Sequence, residues 1–294
     1  MDNLITVCDY NADWALKEGY LDPKPVPGFM SREEVIRFYG TLGIDGVEIR
    51  EDYWSDCPPS FLRKITREAG LPIYAHAFTV DLAQRTAPER RAAADRARAM
   101  LDRSAEMGAK LAMIFPGEVK EGVEARLLHD WVVEGLIDCS AHAAALGITL
   151  VFENIDYEPW RPIYGTPQQC VEICKAVNSP ALRLVCDVCA LLFVEQDPLE
   201  GLRTMAPYVV HLHLKNSRPV MPGEKAARSR DTEGGRRLTG TVLDGGLVSI
   251  AAILDELKSM DYRGRLLIEY QGENDPRVAL RYNLEYLRRQ MQGR

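Results

Sequence analysis

The chain has 294 residues, of which 46% are hydrophobic and 27% are charged, and its formal net charge is −7 at pH 7. This composition is typical of a globular protein with a sizeable core. An acidic surface repels the phosphate backbone of nucleic acids, so we expect no nucleic-acid partner. No apolar run approaches the roughly 20 residues that span a bilayer, and the first residues do not resemble a signal peptide, so we expect no membrane partner.

The cysteine content indicates a reducing compartment. Seven cysteines, an odd number in a long chain, fit free thiols better than a disulfide framework. We therefore predict a cytoplasmic protein. A homo-oligomeric state is left open by the sequence.

One junction recurs along the chain: an amphipathic helical stretch ends in glycine, and a short apolar run follows at once, as in TLGIDGVEIR and ALGITLVFEN. Glycine just past a helix is a common left-handed cap. With three further apolar runs, this pattern predicts eight strands, near 3–8, 44–49, 71–77, 110–115, 148–153, 182–187, 208–214 and 265–270. The intervening segments predict helices near 31–42, 58–69, 88–107, 124–146, 167–178, 198–205, 247–260 and 276–291.

Eight alternations of strand and helix are typical of a single α/β domain, a (β/α)8 TIM barrel that fills residues 1–294. The alternative is a doubly wound open sheet, which normally has a glycine-rich first turn. The residues after LITVCD contain no such turn. Two long segments, near 11–30 and 215–246, each follow a strand, so we expect active-site loops at the carboxyl-terminal end of the barrel.

Four ligand-type side chains lie at the ends of consecutive predicted strands. They are Glu153, Asp187, His213 and Glu269, on strands five to eight. Because the carboxyl ends of barrel strands meet at one mouth, we expect these side chains to converge. A mainly oxygen site with one imidazole suits one Mn²⁺, Mg²⁺ or Co²⁺ ion better than Zn²⁺, which remains an alternative. His211 shares the strand parity of His213 but lies one pleat deeper, inside the barrel.

Other polar residues near the predicted mouth are candidates for substrate binding. Lys215 and Arg218 follow the ligand histidine and could bind hydroxyl, carboxylate or phosphate groups. His76 ends strand three and is expected to point to the mouth, and Glu158 follows strand five beside two aromatic residues. Glu48 and Arg50 end strand two, where the sequence leaves open an internal salt bridge or contacts to substrate.

The stretch RLVCDVCALLF contains a C-x-x-C pattern around Asp187. A thiol site would need a turn that lowers a thiol pKa or a second pair of ligands. Here the pattern straddles the end of a buried strand, where cysteine commonly packs as a small apolar residue. We therefore interpret Cys186 and Cys189 as packing residues and Asp187 as the ligand.

The two glutamates suggest a mechanism. A metal that binds adjacent oxygens of a hydroxy ketone acidifies the carbon-bound proton. Glu153 and Glu269 could then remove and return protons as general base and acid. This arrangement serves isomerisation, epimerisation or elimination.

Several stretches resemble the xylose-isomerase-like TIM-barrel superfamily, which includes the sugar phosphate isomerase/epimerase family. They are Glu153-Asn154, Asp187, HLHLK (211–215) and VLDGGLVSIAAILDELKSMDYRGRLLIEYQ (242–271). The resemblance implies that Glu153, Asp187, His213 and Glu269 bind the metal and that both glutamates act as acid and base. This sequence departs from the pattern at Ala190, where many relatives have a histidine, and at Asn216, where aspartate is usual.

The resemblance predicts a divalent-metal-dependent isomerase or epimerase of carbohydrate metabolism, acting on a ketose, a sugar phosphate or a cyclitol. The alternative is a lyase of the same superfamily, of the inosose dehydratase, 3-dehydroshikimate dehydratase or C-glycoside deglycosidase type. A DNA repair enzyme like endonuclease IV is more remote, because its trinuclear zinc site needs many histidines and this chain has five. A binding protein on an inactive barrel would require loss of a ligand, and all four are present.

Overall fold

A computed structural model describes residues 4–13, 15–16 and 28–293. Eight parallel strands close into a barrel in the order β1-β11-β7-β6-β5-β4-β3-β2. The barrel strands are β1 (Ile5–Cys8), β2 (Gly46–Arg50), β3 (Ile73–Thr79), β4 (Leu111–Phe115), β5 (Thr149–Glu153), β6 (Leu182–Asp187), β7 (Val209–Leu214) and β11 (Arg265–Ile268). All eight fall within or beside the predicted segments, and the predicted (β/α)8 barrel is confirmed.

The helices surround the barrel. They are α1 (Arg32–Gly40), α2 (Glu51–Trp54), α3 (Pro59–Glu68), α4 (Ala87–Met107), α5 (Ala125–Leu146), α6 (Arg161–Tyr164), α7 (Pro167–Val177), α8 (Ala190–Phe193), α9 (Pro198–Met205), α10 (Ile250–Ser259) and α11 (Pro276–Gln292). The three four-residue helices, α2, α6 and α8, were not predicted because one turn is too short to show a helical period. Within the described residues, no helix combines the length and apolar composition needed to cross a membrane.

Glycine caps set the start of the central strands. Gly108 (φ 77°) ends α4 and Gly147 (φ 69°) ends α5, both in the left-handed region. Strands β4 and β5 begin two or three residues later. This is the junction that the sequence predicts, and it directs the carboxyl end of each strand toward the same mouth.

The strand side chains divide between two apolar layers. The barrel interior holds a small cluster made of Ala75, Ala77, Leu111, Met113, Phe115, Val151 and Val185, and the larger core lies between the strands and the helices. Because neighbouring residues of a strand face opposite sides, Ala75 and Ala77 point inward while His76 points toward the helices.

The segment 215–246 is not an irregular loop. It contains a three-stranded antiparallel sheet in the order β8-β10-β9, formed by β8 (Asn216–Pro219), β9 (Arg230–Asp231) and β10 (Arg237–Thr241). We call this unit the insert sheet. Its strands are short and polar, so the sequence shows no clear strand pattern. Of the other predicted loop, 11–30, Trp14 and residues 17–27 lie outside the described part of the chain.

Candidate metal centre and active-site cleft

Three of the four predicted ligands meet at the carboxyl-terminal end of the barrel. Nδ1 of His213 lies 2.7 Å from Oε1 of Glu153 and 3.4 Å from Oε2 of Glu269. One ligand atom from each of the three residues falls within 4.8 Å of the others, and all three side chains are buried. The strand ends thus bring together residues that are up to 116 positions apart in sequence.

The donor set fits a divalent metal. Oε1 of Glu153 and Nδ1 of His213 are buried, and neither atom has a hydrogen-bond partner within the described residues, although they lie close together. Buried polar atoms are ordinarily paired. These two close, buried atoms are therefore candidates to bind a common metal ion. One imidazole nitrogen and carboxylate oxygens suit Mn²⁺, Mg²⁺ or Co²⁺.

Asp187, the fourth predicted ligand, lies beside this group with both oxygens engaged. Oδ1 accepts hydrogen bonds from the backbone N–H groups of Cys189 (2.8 Å) and Ala190 (3.1 Å). Oδ2 forms an ion pair with Nζ of Lys215, and that nitrogen is also 3.5 Å from Oε1 of Glu269. Asp187 therefore contacts the site by its ion pair with Lys215 and not by a contact with His213.

Asn154 fixes the position of Asp187. Its side-chain amide donates to the backbone carbonyl of Asp187 (2.9 Å), and its Oδ1 accepts from the backbone N–H of the same residue (2.9 Å). These two bonds join the ends of β5 and β6, since Asn154 directly follows β5. In the Glu153-Asn154 pair, Glu153 thus belongs to the cluster of Glu153, His213 and Glu269, and Asn154 holds the backbone of Asp187 in place.

A second group of potential ligands lies deeper in the barrel. Oε2 of Glu48 is 3.5 Å from Nε2 of His211 and 3.5 Å from Nε2 of His213. These three residues also place ligand atoms within 4.8 Å of one another. Arg50 pairs instead with Asp52, at 2.5 Å. Glu48 therefore faces the two histidines rather than Arg50, whereas Arg50 is one of the residues that line the active-site cleft.

The two cluster glutamates have opposite pKa shifts. Burial raises the pKa of Glu153 to about 7, against the lowering effect of His213. Burial also opposes ionisation of Glu269, but Lys215 and His213 outweigh it and lower the pKa of Glu269 to about 2. Two carboxyl groups whose pKa values are pushed apart are the usual arrangement of an acid–base pair.

Burial also opposes the two cations of the site, and the surrounding carboxylates outweigh it. Glu153 and Glu48 raise the pKa of His213 well above its ordinary value. Asp156 and Asp187 do the same for Lys215. Lys215 is therefore a buried cation at neutral pH.

A cleft of about 710 Å³ opens over the cluster. Glu153, Lys215 and Glu269 line it, together with the aromatic residues Tyr10, Phe115, Tyr157 and Trp160. The insert sheet and the turn before β9 contribute Arg228 and Arg230. This arrangement supports the prediction that segment 215–246 lies at the mouth of the barrel.

Asp156 and Arg230 are cleft residues that no sequence motif indicates. The guanidinium of Arg230 donates to both carboxylate oxygens of Asp156 (2.6 and 2.7 Å) and to Oε1 of Gln271 (2.9 Å). Lys215 lies 3.4 Å from Oδ2 of Asp156. The only sequence signal was the basic character of segment 215–246, which does not single out one arginine.

Three predicted substrate contacts do not reach the cleft. His76 is fully buried between β3 and α4, where Nδ1 bonds Oγ of Ser104 (2.8 Å) and Nε2 bonds Oε2 of Glu51 (3.0 Å). The expectation that His76 points to the mouth is wrong, because its strand parity is opposite to that of Ala75 and Ala77.

Glu158 and Arg218 are not among the residues that line the cleft. Glu158 is exposed in the turn after β5. Arg218 forms a bidentate ion pair with Glu224 (2.6 and 2.9 Å) on the insert sheet. Of the four predicted substrate contacts, the structure places Lys215 alone at the cleft.

The C-x-x-C pattern holds no thiol pair. Cys186 and Cys189 are both free and fully buried, and burial raises the pKa of Cys189 to about 12. A thiol with such a pKa is not a thiolate at neutral pH. The packing interpretation of both cysteines agrees with this environment.

A closed barrel of eight parallel strands, with a buried histidine–carboxylate cluster at its carboxyl-terminal end, defines the class of this protein. The chain matches the xylose isomerase-like TIM barrel family over residues 36–290. It therefore belongs to that family, as the strand-end motifs predict. Among curated proteins, none matches the sequence.

Solved structures share the fold at low sequence identity. A D-allulose 3-epimerase from Methylomonas sp. is 15% identical, with 98% of each chain covered and a TM-score of 0.74. The probable 3-DHS dehydratase AsbF from Bacillus anthracis is 16% identical, with 97% of this chain and 98% of that chain covered and a TM-score of 0.72. A xylose isomerase-like TIM barrel protein from Mycobacterium smegmatis in complex with magnesium is 19% identical, with 99% and 97% covered and a TM-score of 0.71.

Proposed function

We propose that the protein is a divalent-metal-dependent isomerase or epimerase that acts on a ketose, a sugar phosphate or a cyclitol. The observation that carries this proposal is the meeting of Glu153 and Glu269 at Nδ1 of His213 on the floor of a cleft. The fold it shares with an epimerase of a ketose supports the same class of substrate.

Glu153, His213 and Glu269 would hold the metal, which we propose to be Mn²⁺, Mg²⁺ or Co²⁺. Asp187 is proposed as the fourth ligand. Its Oδ2 forms an ion pair with Lys215 and would have to leave that lysine to bind the metal. When bound, a divalent metal polarises a substrate carbonyl and lowers the pKa of the neighbouring C–H group.

The two glutamates are proposed to move the proton. The lowered pKa of Glu269 keeps this carboxylate ionised and able to accept a carbon-bound proton. Glu153 is proposed to deliver a proton to the neighbouring atom or to the opposite face. Lys215, a buried cation, is proposed to bind a substrate hydroxyl or carboxylate.

A lyase of the dehydratase type is the second candidate. The cleft is lined by four cationic side chains, Arg50, Lys215, Arg228 and Arg230, beside five acidic ones. A substrate carboxylate could bind there by exchanging with one of the carboxylates that pair with these cations. In that reaction Glu269 would take a proton from carbon and Glu153 would protonate the departing hydroxyl group. The fold shared with a probable 3-DHS dehydratase is consistent with this candidate.

The test is solvent exchange in deuterated water, with the protein loaded in turn with Mn²⁺, Mg²⁺ and Co²⁺. Ketoses, ketose phosphates, inososes and 3-dehydroshikimate are the substrates, and deuterium in recovered substrate or product is measured by NMR. Isomerase and epimerase activity predicts deuterium at a carbon beside the carbonyl in a product of unchanged composition. Dehydratase activity predicts a product that has lost water.

Glu153→Gln and Glu269→Gln are expected to reduce exchange by about 100-fold or more, whereas the exposed Glu158→Gln serves as the matched control and keeps the wild-type rate. Bound metal is measured for each variant, so that loss of the ion is distinguished from loss of proton transfer. Full exchange by Glu269→Gln would contradict the proposed mechanism.

A further inference from the structure

Glu48, His211 and His213 form a polar group inside the barrel, which we call the interior cluster. Glu48 lies on β2 and both histidines lie on β7, and these two strands are not neighbours in the barrel. Oε2 of Glu48 is 3.5 Å from Nε2 of each histidine. The two imidazole planes stand at 88°, with their centroids 5.0 Å apart. One carboxylate oxygen thus faces two imidazole nitrogens across the barrel.

The interior cluster is buried and its polar atoms are not paired. Glu48 and His213 keep 2% of their surface exposed and His211 keeps none. Oε2 of Glu48 and the Nε2 atoms of both histidines have no hydrogen-bond partner within the described residues. The barrel interior is lined by apolar side chains, and buried polar atoms in such surroundings are ordinarily paired. The cluster therefore lacks the partner that its burial demands.

The distances within the interior cluster fit metal ligands better than hydrogen bonds. An N–H···O hydrogen bond has a donor–acceptor distance of about 2.7–3.2 Å, which is shorter than the two separations of 3.5 Å. Zinc lies about 2.0–2.2 Å from nitrogen and oxygen ligands. In a tetrahedral site these bond lengths place neighbouring ligand atoms roughly 3.3–3.6 Å apart. The three ligand atoms also fall within 4.8 Å of one another.

The ligand types distinguish the interior cluster from the cluster at the mouth. Two imidazoles and one carboxylate suit Zn²⁺, with one tetrahedral position left for water. The mouth cluster offers one imidazole and two carboxylates, from Glu153 and Glu269, and this mainly oxygen set suits Mn²⁺ or Mg²⁺. We propose that the interior cluster is a second metal site, which binds Zn²⁺ through Oε2 of Glu48 and Nε2 of His211 and His213.

His213 belongs to both clusters. Its Nδ1 faces Glu153 and its Nε2 faces Glu48. A neutral imidazole has one N–H group and one lone pair, so His213 binds one ion at a time. Zn²⁺ in the interior cluster therefore weakens binding of the ion at the mouth. This competition rests on the proposed function, whereas Zn²⁺ binding by the interior cluster does not.

The first test measures Zn²⁺ and Mn²⁺ affinities of the chelator-treated full chain by isothermal titration calorimetry. His211→Gln is expected to weaken Zn²⁺ binding by about 100-fold or more, since loss of an outer partner of a ligand already costs about 10- to 100-fold, and to keep Mn²⁺ binding. Glu269→Gln is expected to show the opposite pattern. The control His142→Gln changes a histidine on α5 that bonds Asp102 (2.8 Å) at the surface and is expected to keep both affinities.

The second test is X-ray absorption spectroscopy of the wild-type protein loaded with one equivalent of Zn²⁺, which holds even if His211→Gln unfolds. The interior cluster predicts two imidazole rings per zinc, with nitrogen at about 2.0–2.1 Å. Titration of this zinc-loaded protein with Mn²⁺ is expected to give weaker binding than titration of the chelator-treated protein. Unchanged Mn²⁺ affinity would contradict the shared use of His213.

The inference is overturned if the protein binds no Zn²⁺, if each zinc has one imidazole, or if His211→Gln keeps the wild-type Zn²⁺ affinity. These outcomes are distinct from failure of the proposed function. A protein that exchanges deuterium into ketoses but has one imidazole per zinc keeps the function and loses the interior site. A protein with two imidazoles per zinc that exchanges no deuterium with any sugar keeps the interior site and loses the function.

Discussion

Nε2 of His213 lies 3.5 Å from Oε2 of Glu48, on the side of the imidazole away from the two cluster glutamates. Nδ1 of the same ring lies 2.7 Å from Glu153. The two ring nitrogens thus face two different carboxylates. A carboxylate on one nitrogen fixes the orientation and tautomer of a metal-binding histidine and increases the basicity of the other nitrogen.

Glu48→Gln is therefore expected to weaken metal binding about 10- to 100-fold without removing a residue of the Glu153–His213–Glu269 group. The measurement is isothermal titration of the chelator-treated protein with Mn²⁺. Glu51→Gln is the matched control, since Glu51 also bonds a buried histidine, His76 (3.0 Å), but outside the cleft. Equal metal affinity in wild type and Glu48→Gln would show that Glu48 does not orient His213.

Lys215 neutralises buried acids, and its removal is expected to destabilise the fold. In Lys215→Met, the carboxylate of Asp187 loses its ion-pair partner in the barrel. Breaking such a pair costs about 3–5 kcal/mol of unfolding free energy, measured by urea denaturation at pH 7 in the presence of chelator. Lys64→Met breaks an exposed pair with Glu68 (4.0 Å) and is expected to cost under about 1 kcal/mol. Similar losses in the two variants would contradict this reasoning.

Asp9 gives the stability a pH dependence of known sign. It is buried, its Oδ2 accepts hydrogen bonds from the backbone of Arg50 (3.0 Å) and the indole of Trp54 (2.9 Å), and burial raises its pKa from 3.8 to about 7. Between these values the folded state keeps a proton that the unfolded state has lost. The contribution of Asp9 to the free energy of unfolding therefore falls as pH rises through this window.

Asp9→Asn removes this titration. Relative to wild type, the variant is expected to gain stability between pH 4 and pH 8, by on the order of 4 kcal/mol across the window. Urea midpoints and slopes at several pH values measure the difference between the two proteins. Parallel stability curves for wild type and variant would show that folding does not raise the pKa of Asp9.

Arg230 attaches the insert sheet to the barrel mouth. Its guanidinium bonds both oxygens of Asp156 and Oε1 of Gln271. Arg230→Ala is expected to increase the rate of limited proteolysis within 216–241, because a bidentate pair at the end of a short strand is lost. Arg218→Ala, which removes a bidentate pair within the same segment, is the comparison. Faster cleavage in Arg218→Ala than in Arg230→Ala would contradict this role.

The fold was predictable because its signals are local. Helix caps at Gly108 and Gly147 and the short apolar runs that follow them are each encoded within a few residues. The alternation of side chains along one strand could also be predicted from the sequence, and it places His211 and His213 inside the barrel. The error at His76 came from ignoring this parity, since the small inward residues Ala75 and Ala77 already indicate that His76 faces the helices.

The sequence by itself determined the strand ends and therefore the meeting of Glu153, His213 and Glu269, because parallel strands of a barrel finish at one mouth. Only the tertiary structure decided that Lys215 forms an ion pair with Oδ2 of Asp187 and that Glu48 lies beside Nε2 of His213. These contacts depend on the lateral pairing and stagger of strands far apart in the chain, including the register shifts between Val47 and Glu48 and between Leu184 and Val185. No local pattern of residues encodes that stagger, since it follows from closing the whole barrel.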